Sequence, residues 1–151
     1  MDNSAFTRYL TLDVLLTSES NLVGLVGALE KQDVFVVYNG PSETGGFYAV
    51  LEPPFQEGED ESPQAQAVYV AKLVKELAPD FRRVWNECKS RIFDFGFGSG
   101  FQPARLEHDM SKEALESILA VGAEIRISIY PVDQAPNPSF KRDAAQKRSA
   151  P

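Results

Sequence analysis

Apolar and polar positions along this chain fall into two recurring rhythms, and each rhythm predicts a type of element. Between residues 6 and 16, Phe6, Leu10, Leu12, Val14 and Leu16 occupy one phase of a two-residue period and Thr7, Thr11 and Asp13 the other, which predicts a half-buried strand. Ser18 or Ser20 is then placed to cap a helix whose stripe is Leu22, Val23, Leu25, Val26 and Leu29. Gly24 and Gly27 lower that helix's intrinsic propensity, so packing on a sheet must hold it. Residues 33 to 38 are β-branched and aromatic, and Asn39-Gly40-Pro41 with Gly45-Gly46 punctuates a hairpin to a further strand over 47 to 51.

From Pro53 to Pro63 the chain turns polar, as a solvated loop does. Between residues 64 and 89 the four- and three-residue steps of Val70, Val74, Leu77, Phe81, Val84 and Cys88 give a helical face that Leu73 and Trp85 widen. Pro79 lacks an amide donor and would clash with the carbonyl of Lys75, so this face must divide into two consecutive helices. A strand over 92 to 97 follows, then a loop over 98 to 109. Ser111 can cap a helix over 112 to 121, and Gly122 stands where a helix end favours glycine. Glu124-Ile-Arg-Ile-Ser-Ile-Tyr130 alternates without a break as the last strand.

Two stretches share this order of elements. With Tyr38 laid on Tyr130, the apolar positions Val23, Val26, Ala28, Leu29, Phe35 and Val37 fall on Leu115, Ile118, Ala120, Val121, Ile127 and Ile129. The expected fold is therefore α+β: a ferredoxin-like two-layer sandwich built from two strand–helix–strand halves. Its strands form one mostly antiparallel sheet, with the 22–29 and 114–121 helices on one face. In this reading the hairpin strand and the 70–88 helical segment are an insertion between the halves.

Composition limits the rest. A chain of 151 residues, 43% hydrophobic, fits one domain over residues 1–131. Residues 132–151, with Pro136, Pro138 and few apolar side chains, read as a flexible tail. The net charge is −7, but the tail sets Lys141, Arg142, Lys147 and Arg148 against Asp133 and Asp143, which leaves residues 1–131 at −9. Such a domain repels phosphate backbones, so nucleic-acid binding through the folded part is not expected; a basic protein partner is. No run of about 18 apolar residues and no leader pattern occurs, so a cytoplasmic protein without membrane contact is expected.

Candidate chemistry is sparse. Phe95-Gly-Phe-Gly-Ser-Gly-Phe101 lacks the third glycine of the dinucleotide fingerprint and does not open a helix. Its phenylalanines read as core, and its glycines as sites where another backbone comes close. The functional alternative is a ligand loop formed by Asp94, Gly96, Gly98, Gly100 and His108. His108 is the single histidine, which excludes a metal site built on paired imidazoles. Cys88, the single cysteine, lies one turn beyond Trp85 on the apolar face, where a buried, inert thiol belongs; Lys89 and Arg91 nearby are what a reactive thiol would want. Glu57, Glu59, Asp60 and Glu61 do not follow a calcium-loop pattern and read as a solvated loop, or as an acidic contact for a basic partner.

The segment from Leu115 to Pro131 resembles the C-terminal helix and strand of a widespread uncharacterised bacterial α/β domain family. That family carries a similar strand–helix–strand unit in both halves, and some of its members look like immunity proteins encoded beside toxins. The resemblance is one of pattern over about residues 6–131 and transfers no functional residue. Together with the acidic domain and the lack of a catalytic constellation, it sets the expectation of a non-enzymatic protein-binding domain. This would be an immunity or inhibitor protein with an acidic surface and no cofactor. A small-molecule or enzymatic site between the 96–100 loop and residues 107–109 is the alternative, and a homodimer through an edge strand or the long helical face is a third.

Overall fold

The computed structural model describes residues 5–131 apart from 57, 59 and 60. The expected tail, and three of the four acidic-loop residues, lie outside that range. The elements are β1 (Arg8–Ser18), α1 (Val23–Glu30), β2 (Phe35–Pro41), β3 (Phe47–Glu52), α2 (Pro63–Lys75), α3 (Pro79–Glu87), β4 (Ser90–Gly98), α4 (Lys112–Ala120) and β5 (Glu124–Tyr130). The fold is α+β: a five-stranded sheet in the order β2-β3-β1-β4-β5 with four helices. Three strand pairings are antiparallel and one, β4 with β5, is parallel.

Several elements begin and end for the reasons anticipated. Ser111 caps α4 by accepting from the Ala114 amide at 3.1 Å, and Gly122 beyond its end has a positive φ of 69°. The helical stripe divides at Pro79, which occupies the first turn of α3, where a missing amide costs nothing. Ser62, with Pro63 behind it, caps α2 through the Ala65 amide.

The core lies between the sheet and its helices. Leu12, Val14, Leu16, Phe93 and Phe95 meet Leu22 just ahead of α1, Leu25, Val26 and Leu29 of α1, Val70 and Val74 of α2, Trp85 of α3 and Ile118 of α4 in one cluster. On the other sheet face Leu15 and Val50 gather Val37, Tyr38, Tyr48 and Ile92 into a smaller one.

Four expectations need correction. The hairpin strand is no insertion, because β3 sits between β2 and β1 inside the sheet. Neither Ser18 nor Ser20 caps α1: Ser18 ends β1 and its hydroxyl accepts from the Ser20 amide, whereas α1 starts after Leu22 without a side-chain cap. The alternation in β1 breaks at a bulge between Tyr9 and Thr11. It turns Tyr9 toward the core and leaves Leu10 beside Gly98, on the face away from Phe97. Asp13, read as the wet side of a half-buried strand, is 7% exposed.

Among the described residues the bulged end of β1 pairs with β4 on one side and with no strand on the other, and Gln66 of α2 takes that place at Tyr9 to Leu12. Its Oε1 accepts from the Leu12 amide at 2.9 Å and from the Tyr9 hydroxyl at 2.6 Å; its Nε2 donates to Pro53 O at 3.0 Å and Thr11 Oγ1 at 3.3 Å. A buried amide with all four positions used replaces the missing ladder bonds, and it fixes α2 on the sheet.

Candidate functional site

The residues predicted for a ligand loop do not form one site. Asp94 lies on β4 directly opposite Asp13 of β1, on the sheet face away from the helices, and its Oδ1 accepts from Ser128 Oγ at 2.7 Å. His108 is exposed on the helix side, its ring 5.8 Å from Tyr9 and 6.1 Å from Phe97, both of which pack on the main core. The sheet separates the two. Gly96 and Gly98 belong to β4. A side chain on Gly96 would meet the Tyr130 ring at 3.3 Å, a tight approach that favours glycine, whereas one on Gly98 would meet Leu10 at 3.5 Å, an ordinary contact. At Gly100 a Cβ would sit 2.3 Å from the carbonyl carbon of Phe6, so this glycine does admit another backbone, that of residues 5–7.

Of the acidic loop, Glu61 is described and is exposed. Cys88 is buried; burial pushes its thiol above the ordinary value and outweighs the nearby Arg91 charge. Arg91 is committed elsewhere, since its Nη1 donates to the carbonyls of Trp85, Asn86 and Cys88 and its Nε to that of Gly122. Lys89 pairs with Glu19 at 2.9 Å. Among the described residues no group of three or more His, Cys, Asp or Glu is arranged to hold a metal ion, and no helix is long and apolar enough to cross a membrane.

A groove of about 600 Å³ opens between α1 and the α2–α3 junction, lined among others by Gly24, Gly27, Leu73, Leu77 and Phe81 with Lys31 and Glu76 in its lining. The two glycines that weaken α1 face this groove: the Phe81 ring is 3.1 Å from where a Gly24 side chain would begin, and nothing lies within 4 Å at Gly27.

The most unusual surface is at β5. This strand ends the sheet, and its register pairs Ile125, Ile127 and Ile129 with Phe93, Phe95 and Phe97. Paired residues share a face, so the three isoleucines point to the helix side. Among the described residues no helix covers them: they are 46%, 66% and 65% exposed, whereas Phe93 and Phe95 beside them are buried. On α4, the helix that leads into this strand, Leu115 and Leu119 are 45% and 76% exposed. The internal repeat extends to burial at four of its six aligned apolar pairs. Val26 and Ile118 are both buried, as are Leu29 and Val121, while Val23 and Leu115, then Phe35 and Ile127, are both exposed. Each copy of the repeat therefore ends on an edge strand, β2 in one case and β5 in the other.

The two edges differ. The β2–β3 register shifts between Val36 and Tyr38, and β2 finishes in Asn39-Gly40-Pro41, all of which discourage a further strand. The β4–β5 register runs through seven residues without a shift, and β5 holds no proline, glycine or lysine. No protein-family model, no curated protein and no solved structure matches this chain.

Proposed function

We propose that this chain is a protein-binding domain that catalyses no reaction, and that it binds by adding a strand at β5. The observation that carries this reading is the exposed row of Ile125, Ile127 and Ile129 on an unshifted edge strand. Natural edge strands are normally blunted by charge, proline or a bulge; β5 has no proline and no shift, its charges Glu124 and Arg126 alternate with the isoleucines and so lie on the other face, and an open apolar row is what strand-adding partners use. The order of the first four strands, 2-3-1-4, supports regarding residues 8–98 as a ferredoxin-like sandwich, with α4 and β5 appended to build this edge. An inhibitor or immunity role is a narrower form of the same reading. It is supported by the acidic charge, which speeds encounter with a basic partner.

The test is retention of specific proteins by immobilised full-length chain against an Ile127→Asp variant. Retention lost in the variant supports strand addition at β5. Equal retention by both places binding elsewhere and sinks this surface.

The groove beside α1 favours a second reading, a small apolar ligand held against Gly27. Thermal stabilisation by such a compound, lost on Gly27→Leu, would support it.

A further inference from the structure

Resting on the reading of β5 as a binding edge, we infer that its occupant is a second copy of this chain, paired antiparallel about a two-fold axis at Ile127 to give a ten-stranded sheet. The strand is self-complementary in that register. With seven residues centred on Ile127, every residue of β5 has a partner: Glu124 opposite Tyr130, Ile125 opposite Ile129, Arg126 opposite Ser128, and Ile127 opposite itself. Facing residues in an antiparallel pair share a face, so six isoleucines meet on the helix side and cover one another. They make one apolar strip beside α4 of each copy, where Leu115 and Leu119 are exposed.

Charge selects the same register. On the opposite face, Arg126 of one copy falls across from Ser128 of the other, whose hydroxyl is bonded to Asp94, so a cation meets an acidic neighbourhood. Centring the pair one residue earlier would set Arg126 against Arg126, a like-charge contact that costs stability. Centring it one residue later leaves Glu124 and Ile125 without partners. The chain's own C-terminal sequence is a poorer occupant, because Pro131 follows β5 directly and Val132 and Phe140 are its only large apolar residues.

The test uses the full chain. Light scattering from micromolar to hundreds of micromolar should give twice the 16.7 kDa of one chain, and Ile127→Asp, which sets two carboxylates face to face, should give 16.7 kDa with an unchanged circular dichroism spectrum. Register is read by cross-linking. At the two-fold axis facing Cα atoms are about 4.5 to 5.5 Å apart, within disulfide reach. Under oxidised glutathione Ile127→Cys should form a covalent dimer, Ile125→Cys alone should not, and Ile125→Cys mixed with Ile129→Cys should. Val68→Cys, exposed on α2, sets the background, and buried Cys88 does not compete.

A wild-type chain that stays at 16.7 kDa throughout, with Ile127→Cys cross-linking no more than Val68→Cys, overturns the inference. So does a dimer that survives Ile127→Asp. A monomer that still retains another protein through Ile127 overturns the homodimer and leaves the binding edge standing, whereas a monomer that retains nothing removes both.

Discussion

The indole Nε1 of Trp85 donates to the backbone carbonyl of Val121 across 2.8 Å, and this buried bond ties α3 to the end of α4. Arg91 donates to the next carbonyl, that of Gly122, at 2.9 Å. The turn that leads into β5 is therefore held from one side by two side chains, and the exposed strand has a rigid mount. Trp85→Phe should cost about 2 to 4 kcal/mol, because the Val121 carbonyl stays buried without its donor and the smaller ring leaves a void. Denaturant unfolding followed by far-ultraviolet circular dichroism checks this, since the variant removes the only tryptophan.

Gln66 is the second such point. Gln66→Ala strips partners from the Leu12 amide, the Tyr9 hydroxyl and the Pro53 carbonyl together, and a loss of about 3 kcal/mol is expected from the desolvated groups left behind. Gln66→Leu fills the volume and should cost nearly as much. If it were neutral, packing would be what matters there.

Tyr9 gives a pH dependence with a defined sign. Burial, then the negative charges of Asp13 and Glu52, push its phenol above the ordinary value of 10.0. The folded state keeps the proton that the unfolded chain gives up, so this contribution is fully present below the unfolded value and is lost as pH rises above it. The slope is about 1.4 kcal/mol per pH unit. Stability measured from pH 9 upward should fall, and Tyr9→Phe should flatten that fall while losing the bond to Gln66 at neutral pH.

How much of this was legible in the chain depends on how far each signal reaches. Ser111 with Gly122, Pro79, and the alternation of residues 124–130 act within one turn or one strand, and each element formed where its local signal stood. The bulge near Leu10 is a matter of pairing between β1 and β4, and no single-strand period reports it. Asp13 and Asp94, 81 positions apart in sequence, are opposed by the same register. The exposure of Ile127 was out of reach for a related reason. Alternation in Glu124–Tyr130 says that one face is apolar, but whether a helix covers that face depends on the strand's place in the sheet. The glycine-rich run carries no single meaning, because its members meet different neighbours: the Tyr130 ring at Gly96, the backbone of residues 5–7 at Gly100, and only an ordinary contact with Leu10 at Gly98.

Gly100 and Gly27 should respond to alanine in opposite directions. At Gly100 the new methyl would overlap the backbone of residues 5 and 6, so Gly100→Ala should displace that segment and cost about 1 to 3 kcal/mol. At Gly27 the methyl enters open space within α1, so Gly27→Ala should raise stability by about 0.5 to 1 kcal/mol through helix propensity. Thermal unfolding of both variants separates the two reasons for glycine.

Cys88 should resist alkylation in the native state even above pH 8, where a free thiol begins to ionise, because burial holds its proton. Iodoacetamide labelling should require denaturant. Rapid native labelling would show that the end of α3 opens readily.

The shifted register of β2 acts on a scale larger than the strand itself. A sheet with two open edges offers two valences and can stack end to end without limit. Here the far edge carries a register shift and an Asn39-Gly40-Pro41 ending that discourage a further strand, so under the proposed pairing at β5 the molecule would have a valence of one, and growth by strand addition would stop at the first partner instead of running on into a fibre.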